Sequence, residues 1–191
     1  GQQARKIIGE HAVKMYEQFD DSFREKFEIN RTSLRITYLP TNSFMEPLSS
    51  SNVRTQRSKE GLNGSFVTDE IHVVDRTFKQ RITRAGISRS EPMDLEVSTA
   101  GNDVDGYGKE RFDYAIQIES GEVNDVETFA AIYAAPQNLS DEDLAKDPLK
   151  YGLMANPAMG HTIDPREFLH DYETSKRSLA EFGLFKMYRL N

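Results

Sequence analysis

This chain of 191 residues contains no cysteine and no tryptophan. The absence of cysteine excludes disulfide bonds, thiolate nucleophiles, iron–sulfur clusters and cysteine-based zinc sites. The sequence also lacks a secretory signal peptide and any apolar run near the ~18 residues that a membrane-spanning helix needs. The residues present therefore predict no membrane insertion. They leave the compartment open between an oxidising space without disulfides and a reducing cytosol.

Short catalytic signatures are missing as well. The sequence has no GxSxG or SxxK motif, no HExxH spacing, and neither a phosphate-loop nor a dinucleotide-binding pattern. Gly106-Tyr107-Gly108 has a Gly-x-Gly spacing without the third glycine, and we interpret it as a turn. These absences favour a non-enzymatic protein and predict no cofactor.

The charge is acidic overall and unevenly distributed. A net charge of −7 argues against nucleic-acid binding, which needs cations to neutralise phosphates, so the sequence predicts no nucleic-acid partner. Residues 51–90 carry eight Lys/Arg against four Asp/Glu, whereas residues 91–130 carry two against eleven. The two segments either face each other in the fold or present two poles, and their adjacency in sequence favours the first arrangement.

The N-terminal segment has the period of a long helix. Apolar residues at spacings of three and four predict a helix over residues 3–28. No N-cap residue precedes Ile7, and we therefore expect the chain to be an excised part of a larger protein. The aromatic stripe of this helix predicts packing on a sheet, with a seam between subunits of a homo-oligomer as the alternative; it comprises Tyr16, Phe19, Phe23 and Phe27.

Most of the rest of the chain shows the alternation of half-buried strands. Residues 40–64 predict a long irregular loop, because proline, glycine, serine and asparagine recur there. The strands at Arg111–Ile118 and Glu127–Ala134 predict a β-hairpin. The predicted strands are Leu34–Leu39, Ser65–Val74, Arg76–Thr83, Met93–Val97, Arg111–Ile118, Glu127–Ala134 and Leu184–Leu190.

Helix signals return late in the chain. Ser140 predicts the start of a short helix, and Asp164-Pro165 predicts a longer one that runs to about Phe182. The sequence thus predicts an α+β fold: a mainly antiparallel sheet of five to seven strands, with a long N-terminal helix packed on it and a second C-terminal helix. We expect a single domain over 1–191, with the sheet and loops at 33–135 and the last helix and strand at 164–190.

A basic stretch is the strongest candidate for a binding site. On the predicted strand, Lys79 and Arg81 share one face, and arginine forks suit a carboxylate or phosphate. The alternative is a solvated strand face that pairs with the acidic segment after it. The predicted ligand-binding residues are Arg76, Lys79, Arg81 and Arg84; other cations nearby are Arg54, Arg57, Lys59 and Arg89.

Two further clusters predict no metal site. Asn102–Gly106 has the spacing of part of a calcium loop, but the twelfth position would be Phe112 instead of a bidentate glutamate. We interpret this segment as a turn. His161 and His170 share the late region with Asp164, without a ligand spacing.

A long leading helix that feeds an antiparallel sheet resembles the membrane-proximal extracytoplasmic domains of bacterial receptors and pilin-like subunits. The resemblance is one of architecture and carries no site residues. The uncapped helix, the absence of catalytic motifs and the long loop over the sheet predict a domain that binds a small anionic ligand or a partner protein. We expect it to be part of a membrane-attached sensor-like or multi-subunit protein, with an extracytoplasmic or periplasmic location favoured. The alternatives are an assembly subunit of a secretion, pilus or virus particle, and a hydrolase whose site is assembled in space from His161, Asp164 or His170 with a serine.

Overall fold

The computed structural model of the protein describes most of the chain. The described residues are 8–48, 64–85, 90–99, 101 and 105–191. They form two compact units, the first made of Gly1–Ser65 with Thr77–Met93 and the second of Phe66–Arg76 with Asp94–Asn191. No helix within these described ranges is long and apolar enough to cross a membrane.

The first unit contains a small antiparallel sheet. Its three strands follow one another in sequence and pair in the order β1-β2-β3. Phe27 lies opposite Tyr38, and Ile36 lies opposite Met45, so apolar side chains of all three strands share one face. The elements of this unit are α1 (Glu10–Glu17), α2 (Asp21–Arg24), β1 (Phe27–Asn30), β2 (Arg35–Tyr38) and β3 (Ser43–Met45).

The long N-terminal helix predicted over residues 3–28 is wrong. The helix α1 ends at Glu17, and Asp20 then takes an extended conformation in which its side chain accepts a hydrogen bond from the Phe23 amide. This cap begins a new helix in a new direction, and by Phe27 the chain is a strand. The rings of Phe19, Phe23 and Phe27 still lie together across the break, with centroids 4.3 and 4.9 Å apart and planes tilted by 34°.

The second unit contains a two-stranded parallel sheet and most of the helices. β4 and β5 pair with Phe66 opposite Asp94 and Asp69 opposite Val97. After Arg76, the helix α3 (Arg76–Ala85) belongs to the first unit. The other elements that follow β3 are β4 (Phe66–Asp69), a 3-10 turn (Ile71–Val73), β5 (Asp94–Val97), α4 (Tyr107–Glu119), α5 (Asp141–Lys146), α6 (Pro148–Ala155), α7 (Pro165–Ser175), α8 (Leu179–Phe185) and a π-helical turn (Lys186–Leu190).

The predicted antiparallel sheet of five to seven strands is therefore wrong. Arg76–Thr83 is helical. It was predicted as a strand because its buried residues Phe78 and Ile82 are four apart, a spacing that fits one face of a strand as well as one face of a helix. The same ambiguity explains Arg111–Ile118, which lies in α4. Leu184–Leu190 is helical too, and Glu127–Ala134 forms neither a strand nor a helix in the described part of the chain.

The helices α5 to α8 surround one apolar core. Asp164 begins α7 as its N-cap, accepting from the Arg166 amide, with Pro165 in the first turn, as the sequence predicted. Gly152 on α6 allows Phe168 of α7 to approach, because a Cβ there would lie 2.5 Å from the ring carbon Cζ. The buried core residues are Leu144, Met159, Phe168, Tyr172, Phe185 and Leu190.

Candidate functional site

Two acidic residues stand at the carboxyl end of β4. Asp69 is the last residue of the strand, and Glu70 follows it before the 3-10 turn. Because β4 and β5 are parallel, their carboxyl ends meet at one edge, and Ser98 follows β5 at that edge. Ligands of open α/β sheets bind at this edge, outside the carboxyl ends of the strands.

Glu70 has a strained backbone. Its φ of 54° and ψ of 55° lie in the left-handed region, which a residue with a Cβ rarely adopts. The Glu70 carboxylate has one oxygen, Oε2, that is buried and has no hydrogen-bond partner. A strained backbone is typical of a functional site, since packing elsewhere must compensate for the strain.

His72 joins the ends of the two strands. Its Nδ1 atom is hydrogen-bonded to Ser98 Oγ at 2.7 Å and lies 3.1 Å from Glu70 Oε2. The backbone amide of His72 also donates to Ser98 Oγ, at 3.4 Å. The imidazole of His72 is thus close to both the Glu70 carboxylate after β4 and the Ser98 hydroxyl after β5.

Two glycines allow this close packing around His72. At Gly101, whose φ is +70°, a Cβ would lie 2.9 Å from the Cβ of His72. At Gly108, in the first turn of α4, a Cβ would lie 2.5 Å from His72 Cα. The backbone of α4 therefore contacts the 3-10 turn directly, and it leaves no room for a side chain between them.

Polar contacts from α4 complete the surroundings of the site. Glu96, in β5, accepts hydrogen bonds from Tyr107 Oη at 2.6 Å and Arg111 Nε at 2.7 Å. Burial, followed by the hydrogen bond to the Glu96 carboxylate, raises the pKa of Tyr107 above its ordinary value. Arg76 pairs with Glu110 at 2.5 Å. These bonds hold α4 against β5 and against the segment that follows the 3-10 turn.

Asp69 and Glu70 offer two consecutive carboxylates, the kind of ligand that Mg²⁺ prefers. Mg²⁺ is usually held by one or two carboxylates, with waters and substrate phosphates as its other ligands. The carboxylate of Glu70, which faces His72 Nδ1 at 3.1 Å, has the donor chemistry for a water or an ion at this position. Among the residues described, no group of three or more His, Cys, Asp or Glu could hold a metal alone.

The four predicted ligand-binding residues lie on α3 instead of a strand. Lys79 and Arg81 point about 200° apart on a helix, so the shared face of the strand interpretation does not form. Lys79 is only 1% exposed, and Arg76 is paired with Glu110. Arg81 and Arg84 are exposed and one helical turn apart. The upstream cations Arg54, Arg57 and Lys59, together with Arg89, lie outside the described residues.

The other sequence candidates do not assemble a site. His161 and His170 are exposed, and Asp164 is used as the N-cap of α7 and pairs with Arg166. Residues 102–104 of the calcium-like turn lie outside the described part of the chain. The sequence analysis did not identify Asp69 and Glu70 as a site because it interpreted Ser65–Val74 as one strand. The signal that could have indicated them is a short apolar strand that ends in two consecutive acidic residues.

The chain matches no protein-family model and no curated protein. Among solved structures, it is similar to the large terminase of bacteriophage HK97, with a TM-score of 0.77 and 21% sequence identity. The match covers 99% of this chain and 37% of the terminase chain. The chain therefore spans little more than a third of the length of that protein, and the likeness is one of fold.

This match overturns several expectations. The extracytoplasmic sensor-like binding domain and the pilus or secretion subunit were both wrong, since they assumed a long leading helix on an antiparallel sheet of five to seven strands, and the described residues form neither. The exclusion of nucleic acid as a partner was wrong as well, because it was argued from the net charge of the whole chain. The acidic residues of 91–130 make the net charge negative, although exposed cations such as Arg81 and Arg84 are present elsewhere in the chain.

Proposed function

We propose that this chain is part of a terminase-like enzyme of bacteriophage DNA packaging, and that it carries the acidic half of a nucleotide-hydrolysis site. Its fold, shared with a phage large terminase, supports the enzyme class. The single observation that carries the proposal is the acidic pair Asp69–Glu70 at the carboxyl end of a parallel strand. Phosphate-hydrolysing enzymes of the P-loop class hold magnesium with an aspartate of this kind.

Each acid has a distinct role in the proposal. Asp69, exposed at the end of β4, would hold the magnesium ion through its carboxylate. When bound, magnesium neutralises charge on the phosphates. Glu70 orients the attacking water and accepts its proton at its carboxylate, which lies beside the imidazole of His72.

The proposal requires a phosphate-binding loop from outside this sequence. Residues 1–191 carry no phosphate-loop signature, and the match covers only 37% of the terminase chain. The loop would place the β- and γ-phosphates over the carboxyl ends of β4 and β5, with helix and loop amides facing them. The experiment therefore needs the complete native polypeptide.

The test is magnesium-dependent release of phosphate from ATP by the complete polypeptide. Glu70→Gln is expected to lower kcat by about 10²-fold or more and leave the affinity for a fluorescent Mg–ATP analogue unchanged, because it removes only the proton acceptor. Asp69→Asn is expected to raise the magnesium concentration needed for half-maximal rate. The matched control is Glu122→Gln, which changes an exposed turn residue of the same unit.

Two results would contradict the proposal. One is full ATPase activity in Glu70→Gln. The other is loss of DNA cleavage with intact ATP hydrolysis in the same variant, which would assign the acids to the breaking of a phosphodiester bond.

We further propose that DNA is the partner of the exposed cations of α3. Arg81 and Arg84 present two guanidinium groups on adjacent turns, and phosphate oxygens are their natural acceptors. Of the four residues predicted from the sequence, Lys79 is buried and Arg76 is paired with Glu110. Arg81 and Arg84 are therefore the two that are accessible to DNA.

A further inference from the structure

We propose that residues 186–191 form a clamp that makes the helices α5 to α8 move as one body with α4. Three consecutive residues of this clamp, Arg189, Leu190 and Asn191, are bonded to different parts of the second unit. The clamp reaches α4 through residues 128–135. The inference does not depend on the nucleotide chemistry proposed above.

The π-helical turn Lys186–Leu190 is the local feature that creates the clamp. Phe185 and Leu190 are both buried in the core of α5 to α8, although they are five residues apart. In an α-helix, side chains five residues apart point about 140° away from each other, so one of the two would leave the core. A π-helical turn joins residues five apart by hydrogen bonds and therefore brings both side chains to one side.

Backbone carbonyls at the end of this turn are bonded to other parts of the unit. The last carbonyls of a helix have no partner within the helix itself. The Arg189 carbonyl accepts a hydrogen bond from Asn156 Nδ2 at 2.7 Å, and the Leu190 carbonyl accepts one from the Ala135 amide at 2.9 Å. Since Asn156 is the C-cap of α6, the turn is joined to that helix and to residues 128–135 at one point.

Side chains of the clamp add two further bonds. Arg189 Nε donates to Asp171 Oδ2 of α7 at 2.7 Å, and Asn191 Nδ2 donates to the Tyr133 carbonyl at 3.1 Å. Leu190, between these two residues, is buried in the core. A single hydrogen bond contributes modestly to stability, but several bonds from three consecutive residues leave the clamp little freedom to move alone.

Residues 128–135 are also held to α4. The Ile132 amide donates to Glu119 Oε1 at 3.1 Å, and Glu119 is the last residue of α4. Just upstream, Tyr114 Oη of α4 donates to Asp125 Oδ2 at 2.7 Å. A displacement of α4 therefore acts on residues 128–135, and the clamp transmits it to α6 and α7.

The experiment measures amide hydrogen exchange in the complete polypeptide, by mass spectrometry of overlapping peptides. The variant Asn156→Ala/Arg189→Ala removes two side chains that hold the clamp and leaves residues 128–135 unchanged. The amides of Ala135 and Ile132 are both expected to exchange about tenfold faster or more, because local opening of this segment becomes easier.

Two references show whether the change is specific. The Leu39 amide, which donates to the Lys26 carbonyl in the first unit, should exchange at the parent rate. The matched control variant is Lys176→Ala, which removes an exposed ion pair with Glu173 and should leave both Ala135 and Ile132 at their parent rates.

The Ile132 amide distinguishes a clamp from a local bond. It is bonded to Glu119 of α4, so the loss of a merely local contact would speed exchange at Ala135 only. Faster exchange of Ala135 alone, or of neither amide, would overturn the inference. If the double variant does not fold, Arg189→Ala alone is expected to give the same pattern with a smaller increase, since Asn156 keeps its bond to the Arg189 carbonyl.

The reverse substitution tests the coupling from the side of α4. Coupling between two sites is reciprocal, so Glu119→Ala is expected to speed exchange at Ala135 as well as at Ile132. An Ala135 amide that exchanges at the parent rate in Glu119→Ala would show that α4 and the clamp are independent, and the inference would be wrong.

Discussion

Gly108 of α4 lies against the backbone of His72, so that a Cβ at Gly108 would come within 2.5 Å of His72 Cα and 2.9 Å of its amide nitrogen. These are backbone atoms, and they cannot move aside as the end of a flexible side chain can. The first turn of α4 is therefore built against the residues that follow the acidic pair, and the glycine is a requirement of that packing.

Gly108→Ala should destabilise the protein and displace the 3-10 turn. Overpacking against backbone costs about 1–3 kcal/mol, so we expect a lower midpoint of thermal unfolding and, in the complete polypeptide, slower ATP hydrolysis. The matched control is Gly183→Ala on α8, where a Cβ would meet nothing within 4 Å. Alanine there should stabilise the helix by up to about 1 kcal/mol. Equal effects of the two substitutions would contradict the packing argument.

Phe168 should dominate the stability of the C-terminal helices. Its ring is 2% exposed and lies 5.4 Å from that of Phe185, so Phe168→Ala should cost about 3–5 kcal/mol in the free energy of unfolding. Denaturant unfolding followed by circular dichroism measures the change. Leu179→Ala is the control, because Leu179 is 93% exposed and its truncation removes little packing. A loss under 1 kcal/mol for Phe168→Ala would contradict the assigned core.

Asp125 should titrate unusually low. Hydrogen bonds from the Thr128 hydroxyl, the Tyr114 hydroxyl and the Glu127 amide lower its pKa from 3.8 to about 2. The pKa of Asp125 is lower in the folded protein than in the unfolded chain. The ionised carboxylate therefore contributes fully to the free energy of unfolding above pH 3.8, and this contribution is lost as the pH falls toward 2. Carboxyl-carbon NMR titration measures this pKa directly.

Thr128→Val should raise the pKa of Asp125 toward 3.8, because the Thr128 hydroxyl is the largest contributor to the shift. Thr162→Val, which removes an exposed hydroxyl that donates to the Ala158 carbonyl, is the control and should leave the pKa unchanged. A pKa of Asp125 that stays near 2 in Thr128→Val would show that the other two donors are sufficient.

Arg81 and Arg84 should contribute to DNA affinity through phosphates. In the complete polypeptide, Arg81→Ala/Arg84→Ala should weaken binding to duplexes of different sequence by a similar factor. It should also reduce the slope of log affinity against log salt by up to about two, one for each lost phosphate contact. Filter binding or fluorescence anisotropy over a salt series provides the measurement.

The charge-matched control is Lys14→Ala/Lys26→Ala, which removes two exposed cations elsewhere in the same unit. A similar loss in both double variants would indicate a general effect of net charge instead of a contact by α3.

Local signals in the sequence predicted several elements correctly. Asp164-Pro165 begins a helix, and Ser140 caps the helix Asp141–Lys146, because a side-chain cap depends only on residues within one turn. Arg35–Tyr38 and Asp94–Val97 are strands within the predicted segments. The single domain over 1–191 stays a prediction.

The remaining elements depended on contacts that a local pattern does not specify. Phe78 and Ile82 are apolar residues four apart, a spacing that fits one face of a strand or of a helix, and burial among distant residues decides between the two. Arg111–Ile118 and Leu184–Leu190 are helical for the same reason. Reading them as strands also produced the wrong fold class and the wrong functional analogy.

The sequence by itself determined the caps, the absence of thiol chemistry and the lack of a phosphate loop within these residues, because each follows from the identity of neighbouring residues. Only the tertiary structure decided the candidate site. Glu70, His72 and Ser98 come together because two short strands separated by 24 residues pair in parallel, which brings their carboxyl ends to one edge. Pairing between distant strands depends on the register of the whole segment, and no spacing along the chain encodes the 2.7 Å contact that results.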